Sequence, residues 1–249
     1  MKNSLPLYKT CRHRLAQTLL FNSLSLDMLD DMLASFRFES WNKGVIRDSG
    51  LANRRFYVIL DGRLELTQVN PGSGKQVVLM ILREGDVYDV LSLLDGKENP
   101  VIPTSLDDVK LISAPVEAVR QWVSEHPEFN RNLFPYLGRQ IRLREALVED
   151  ISLYDTHARL ARMILRYATV DSKPSDDVAD GLDVDLLHDL SNEELARMIG
   201  SARQVVNRHL QSMKRDGVLH YENHHLIIDD LRKLRRHADD LGRQYSQAG

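Results

Sequence analysis

The stretch from Leu190 to Leu219, LSNEELARMIGSARQVVNRHLQSMKRDGVL, decides how this chain is read. Ser191-Asn192-Glu193-Glu194 has the form of a capping box, in which the serine oxygen takes a first-turn amide and Glu194 reaches back. It opens a helix through Leu195, Ala196 and Met198. Ser201-Ala202-Arg203-Gln204 has the same form and opens a second helix, expected over about residues 202–215. Only Ile199 and Gly200 lie between the two. A glycine turn this short between two capped helices predicts a helix-turn-helix, and Ala196 is small enough to let the second helix come close.

On that second helix Val206, Leu210 and Met213 recur at helical spacing and face inward, which leaves Arg203, Gln204, Asn207 and Arg208 outward near its N-terminal end. All four donate hydrogen bonds. The arginine fork matches guanine O6 and N7, Gln and Asn can pair bidentately with adenine, and a helix start offers free amides and partial positive charge to phosphates. With the cap residues Ser191 and Ser201 they form the expected DNA-contacting set. Charge agrees. Nine acidic residues and one basic residue, Lys173, lie between Asp171 and Glu194, whereas Arg197 to Arg215 holds five basic residues and no acidic one. The net charge of −3 therefore hides a compact cationic element. Gly217-Val218-Leu219-His220-Tyr221 and Leu226-Ile227-Ile228 flank Asn223-His224-His225, which reads as a β-hairpin wing with His224 and His225 at its tip, either to touch phosphate or as two solvated turn histidines.

Working outward, 249 residues make one large domain or two modest ones, and 43% hydrophobic with 28% charged residues is an ordinary globular composition. From about Trp41 to Pro115 short strands alternate with turns. Phe56 to Leu60 ends at Asp61-Gly62, Leu64 to Val69 ends at Pro71-Gly72-Ser73-Gly74, and Gln76 to Leu82 ends near Gly85-Asp86. Such spacing predicts an antiparallel barrel or roll. After His126-Pro127 the period changes. Phe134, Leu137, Ile141, Arg144, Val148 and Ile151 step by three and four along a long helix from Glu128 to Tyr154, a seam that an identical helix from a second chain would cover by two-fold symmetry. Asp155-Thr156 then caps a fresh helix lined by Leu160, Ala161, Ile164 and Ala168, which puts a hinge there, and Lys173 to Asp180 reads as a loop. The expected class is α+β: a sensor roll over 1–127, a dimerisation helix over 128–155 and a winged helix-turn-helix over 156–249.

Several classes are excluded. The single cysteine, Cys11, makes no internal disulfide and cannot build a four-cysteine cluster, which fits a reducing compartment. The longest apolar run, Val77 to Leu82, is far short of a membrane helix, and Lys9, Arg12, His13 and Arg14 interrupt any leader-like stretch, so a cytoplasmic place with no membrane partner is expected. A metal enzyme on a roll needs converging histidines, yet only His13 and His126 of nine precede the hinge, and no phosphate loop, nucleophile elbow or zincin stretch occurs. No enzyme and no metal site are expected. A protein-binding role for the same helical face is the competing class, and salt-dependent DNA affinity separates the two.

The quoted stretch closely resembles the winged helix-turn-helix of the superfamily of the cyclic-AMP receptor protein and the fumarate–nitrate reduction regulator. Phe56-Tyr57-Val58-Ile59-Leu60-Asp61-Gly62-Arg63-Leu64-Glu65-Leu66 and Arg83 to Leu94 resemble that family's cyclic-nucleotide-binding roll. The resemblance implies a homodimeric transcription regulator that reads a palindrome, senses a signal in the roll and has RNA polymerase as a partner. It puts Arg203, Gln204 and Arg208 on the family's base-contacting positions, although many members carry glutamate where this chain has Gln204. In nucleotide-binding members a Gly-Glu pair holds the ribose and an Arg-Ser pair neutralises the cyclic phosphate. Here Asp89-Val90 and Lys97-Glu98 stand in those places as the expected effector pocket. A carboxylate for glycine and the loss of the guanidinium fork work against a cyclic nucleotide. Haem would have only Cys11, His13 and His126 as isolated axial ligands, so the effector is left unassigned.

Overall fold

The computed structural model describes residues 5–46, 55–169 and 181–239. By contacts the chain divides into two compact units, Met1–Leu143 and Arg144–Gly249.

In the first unit two helices precede the expected strands: α1 (Leu5–Gln17) and α2 (Leu26–Ala34). The segment expected to open the roll over 1–127 is thus helical up to Ala34. Ser25 caps α2, its oxygen accepting from the Met28 amide. There follow β1 (Arg37–Trp41), β2 (Arg55–Asp61), β3 (Leu64–Val69), β4 (Gln76–Leu82), β5 (Val87–Tyr88), α3 (Val90–Asp95), β6 (Ile102–Ser105), β7 (Val109–Pro115) and α4 (Val116–Glu125). All pairings are antiparallel, and the strands form two sheets ordered β1-β7-β2-β5 and β4-β3-β6.

Strand β2 shows why the run Phe56 to Leu60 is apolar without alternating: both of its faces are buried. Phe56, Val58 and Leu60 join a core with Leu15, Leu29 and Trp122 of the helices. Tyr57 and Ile59 point the other way, into a second core between the sheets with Trp41, Leu64, Met80 and Tyr88. The two cores use alternate residues of one strand, as the period of two requires. The turn after β2 depends on Gly62, whose φ is +83° and whose absent Cβ would lie 2.9 Å from the Asp108 carbonyl oxygen.

The long helix α5 (Asn130–Leu153) follows a 3-10 turn, Pro127–Phe129. The helix thus starts two residues later than Glu128, and Pro135 costs it one ladder bond. In the second unit come α6 (Thr156–Thr169), β8 (Leu182–Asp183), a 3-10 turn (Asp185–Leu187), α7 (Asn192–Ile199), α8 (Arg203–Arg215), β9 (Leu219–Glu222), β10 (His225–Ile228) and α9 (Leu231–Asp239). The expected loop Lys173–Asp180 lies outside the described residues. Helix α6 buries Ala158, Leu160, Ala161, Met163, Ile164 and Ala168, and it touches α7, α8 and α9, so it is the hub of this unit. Strands β8, β10 and β9 form one antiparallel sheet in that order. The wing turn is Asn223-His224, with φ of +47° and +69°. This corrects one expectation: His224 sits at the tip, but His225 is the first residue of β10, paired in register with Glu222. Left-handed backbone at both turn positions matches strand twist in a two-residue hairpin, so the turn closes one residue earlier. Among the described residues no helix is long and apolar enough to cross a membrane.

Gly62→Ala is expected to destabilise the roll by about 1–3 kcal/mol, the cost of holding a side chain at left-handed φ. Urea unfolding checks this, and an unchanged midpoint would show that the turn relaxes freely.

Candidate nucleic-acid interface

The first capping box forms as the sequence indicates. Ser191 Oγ accepts from the Glu194 amide at 3.2 Å, and Glu194 Oε2 accepts from the Ser191 amide at 2.6 Å. Helix α7 then stops at Gly200, whose φ is +65°. The Ser201 amide donates to the Ala196 carbonyl at 2.9 Å and the Gly200 amide to Arg197 at 3.4 Å, the pair of bonds that closes a Schellman motif.

That closure overturns the second capping box. A box on Ser201 needs its amide free for the Gln204 side chain, but that amide is already spent on Ala196. Ala202 is the N-cap instead, with no side-chain cap, and its carbonyl accepts from Val205 at 3.0 Å and Val206 at 3.2 Å. The first-turn amides of α8 are left without a side-chain partner, facing the way an anion would come.

Val206, Leu210 and Met213 are buried on α8, as expected, and Arg203, Gln204, Asn207 and Arg208 are exposed. Arg203, Gln204 and Arg208 make no hydrogen bond or ion pair with another described residue. Asn207 is different, because its Oδ1 accepts from Asn192 Nδ2 of α7 at 3.2 Å. An Asn so engaged keeps its donors and one lone pair of its oxygen, but the bond to α7 fixes how the amide is turned. Asn192 is a contact that sequence reading missed, since fifteen residues separate the partners. Ser191 and Ser201 border the same start of the motif, the former with its hydroxyl committed to the cap.

At the hinge, Asp155 Oδ1 accepts from the amides of His157 and Ala158, each at 2.9 Å, and so caps α6. The join is clamped as well. Asp150, buried near the end of α5, pairs with Arg162 and Arg166, while Arg159 donates to the carbonyls of Tyr154 at 2.7 Å and Ile151 at 2.8 Å. Along α5, Phe134, Ile141, Val148 and Ile151 are exposed apolar side chains. Arg144 is half-buried, and Leu137 departs from the seam by packing on the helix-side core of the roll.

The four effector-pocket residues separate. Val90 is a core residue and Asp89 is 4% exposed at the start of α3, with φ of +71°. Lys97 and Glu98 are exposed and line a cleft of about 300 Å³ with Ser92, Val116, Glu117 and Arg120. Arg120 brings no free fork, because it donates to the carbonyls of Leu93 at 3.1 Å and Ser92 at 2.9 Å and pairs with Glu117. Ser92 Oγ lies 2.7 Å from Asp89 Oδ1 and 2.8 Å from the Lys97 carbonyl. One hydroxyl proton cannot serve both. The one O–H of Ser92 is the donor to either acceptor, so the Asp89 carboxyl and the Lys97 carbonyl compete for it. Burial pushes the Asp89 carboxyl above the usual carboxylate range, against hydrogen bonds from Ser92 and Asn99.

Of the isolated haem-ligand positions, Cys11 is fully buried in the core with its thiol pushed up by burial, His13 is exposed on α1, and His126 lies 3.3 Å from Asp31. Asp183, Asp185 and His225 hold their ligand-type atoms within 4.8 Å of one another at the base of the wing, where His225 Nδ1 already pairs with Asp183 Oδ2 at 2.8 Å.

An exposed, acid-free helix start beside a winged sheet defines a DNA-binding regulator of the winged-helix type. Two family models match, a Crp-like helix-turn-helix domain over residues 158–237 and a cyclic nucleotide-binding domain over residues 44–126. A global nitrogen regulator of a Nostoc species is 32% identical over 64% of this chain and 70% of its own length. A CRP-like cAMP-activated global transcriptional regulator of Mycobacterium tuberculosis is 27% identical over 74% of this chain and 80% of its own. A solved CooA variant from Carboxydothermus hydrogenoformans superposes with TM-score 0.68 at 24% identity, covering 84% of this chain and 90% of that one. This chain belongs to the CRP/FNR superfamily of transcription regulators, as the sequence resemblance indicates.

A carboxyl raised above its unfolded value adds stability at low pH and loses it as pH rises past about 4. Asp89→Asn keeps an acceptor for the Ser92 hydroxyl and removes the charge. The variant is therefore expected to melt above the parent at pH 7.5, with the gap closing toward pH 4; identical melting at both values would show that burial does not raise the Asp89 carboxyl.

Proposed function

We propose that two copies of this chain pair along α5 and set their α8 helices in successive major grooves of a palindromic duplex, one DNA turn or ~34 Å apart. The observation that carries this is the outward face of α8, where Arg203, Gln204 and Arg208 stand exposed beside first-turn amides that no side chain caps. Arg203 and Arg208 offer forks to guanine, and Gln204 can both donate and accept. Asn207 ties α7 to α8, and Ser191 and Ser201 border phosphate. Phe134, Ile141, Val148 and Ile151 support pairing, since an exposed apolar seam with heptad-like spacing is covered most simply by its own copy. The onward partner implied by the family is RNA polymerase, and the place of action is the cytoplasm.

The roll is proposed to take a signal that is not a typical cyclic nucleotide. A buried cyclic phosphate needs a cationic fork, but Asp89 is buried, Lys97 is exposed and Arg120 is occupied by carbonyls. The signal would act by population shift, biasing α5 and the join at Asp155 between arrangements that do and do not match the half-site spacing.

Arg203→Ala or Arg208→Ala is expected to weaken binding to a duplex enriched from a random library by ~1–3 kcal/mol with melting unchanged. Fluorescence anisotropy measures it, wild-type affinity in both variants defeats the assignment, and added cyclic AMP should leave the parent titration where it was. A protein-binding role would show little loss of affinity for DNA with salt, whereas phosphate contacts give a steep one. Ile141→Glu is expected to turn a dimer into a monomer in sedimentation velocity. A full-sized dimer from this variant would place the pairing surface elsewhere.

A further inference from the structure

Three histidines of the second unit, far apart in sequence, meet in one chain. His157 on α6 presents Nδ1 to His209 Nδ1 of α8 at 3.2 Å and Nε2 to His237 Nδ1 of α9 at 2.7 Å. Thr156 Oγ1 extends the chain, 2.9 Å from His209 Nε2. The rings pack as well, with centroids 4.9 Å apart in both pairs. His157 is thus the only link among the described imidazoles that touches the hub helix, the reading helix and the last helix at once.

The proton arithmetic of this chain is restrictive. A neutral imidazole has one N–H and one lone pair, so three neutral rings satisfy every link with one proton each, running in either direction. One added proton is tolerated at His157, which then donates both ways. A second puts two N–H groups face to face across a link and two cations within hydrogen-bond distance. Among the described residues no carboxylate is placed between the rings. The charged groups facing His209 are Asp155 at the start of α6, which favours its protonated form, and Arg208 on α8, which opposes it, while α9 contributes His237 itself. Burial, then His157, then Arg208 lower the His209 pKa. A base whose folded pKa is lowered leaves the folded form unpenalised above the unfolded value of about 6.5 and costs stability as pH falls below it.

We propose that His157 is a positioning residue for DNA reading, clasping His209 and His237 so that α8 is held in place until the chain takes up a second proton. This rests on α8 as the reading helix. Its consequence runs against the ordinary trend, because a protein that gains positive charge on acidification binds phosphates more tightly. This regulator would instead release DNA.

The test is affinity for the library-enriched duplex between pH 8 and pH 5 at constant salt, for the wild type and for His157→Gln, which can donate and accept but does not titrate. The wild type is expected to lose about tenfold, the equivalent of a one-unit difference in pKa between free and bound states. His157→Gln should hold its affinity or gain. Constant or rising wild-type affinity overturns the proposal, and so does an equal loss in the variant, which would place the titration elsewhere. Arg203→Ala, run alongside at pH 8, reports separately on the reading helix. A loss in that variant leaves the pH comparison to judge His157 alone; if it binds as wild type, both readings fall. Imidazole nitrogen NMR of the wild type needs no variant to fold: a His209 midpoint below the ordinary histidine value is expected, and an ordinary His209 midpoint refutes the chain.

Discussion

The DNA-facing half of this molecule depends on one backbone constraint, the left-handed conformation at Gly200. Two helices joined across three residues can diverge only if the first is stopped abruptly, and a residue at φ of +65° does this by turning the chain out of the ladder. The Schellman closure that follows takes the Ser201 amide, and this decides how α8 begins. Having lost its expected serine cap, the helix starts on Ala202 with its first amides unclaimed by side chains. What terminates one helix therefore exposes the anion-attracting end of the next.

Packing around α6 turns that local geometry into a surface. Its buried face holds α7, α8 and α9, and burying each leucine- or isoleucine-sized side chain contributes roughly 1.5–3 kcal/mol. With the apolar side of α8 committed to this hub, its polar side has no option but solvent or a ligand. The Asn192–Asn207 bond fixes the two helices of the motif to one another at their outer edge. In the roll the logic is reversed. Asp89 Oδ1 is engaged internally by the Ser92 hydroxyl, and the carboxyl is buried away from any ligand in solvent.

Much of this could be read along the chain wherever the deciding interaction was local. The first capping box, the glycine turn, the inward trio Val206, Leu210 and Met213, and the Asp155 cap are each set within four or five residues, and all appear as expected. The strands of the roll were legible from turn residues, although the two-sided burial of β2 shows only when both cores are seen. The failures have a common cause. Ser201 and Gln204 fit a box by type, but an amide belongs to one partner only. His225 left the wing tip because the turn needed only two residues. Leu137 fits the seam of α5 by spacing and is drawn to the roll by a core that reaches back to Cys11.

The sequence by itself determined the succession of roll, long helix, helix-turn-helix and wing, the acid-free helix and the kinship, because periodicity, caps and charge runs are properties of neighbours. Only the tertiary structure decided which polar groups remain available. Asn207 is engaged by Asn192, Asp89 by Ser92, and His157 by partners 52 and 80 residues away. Hydrogen-bonding capacity is finite and is allotted in space, so what a side chain can offer a ligand is what its fold has not already used.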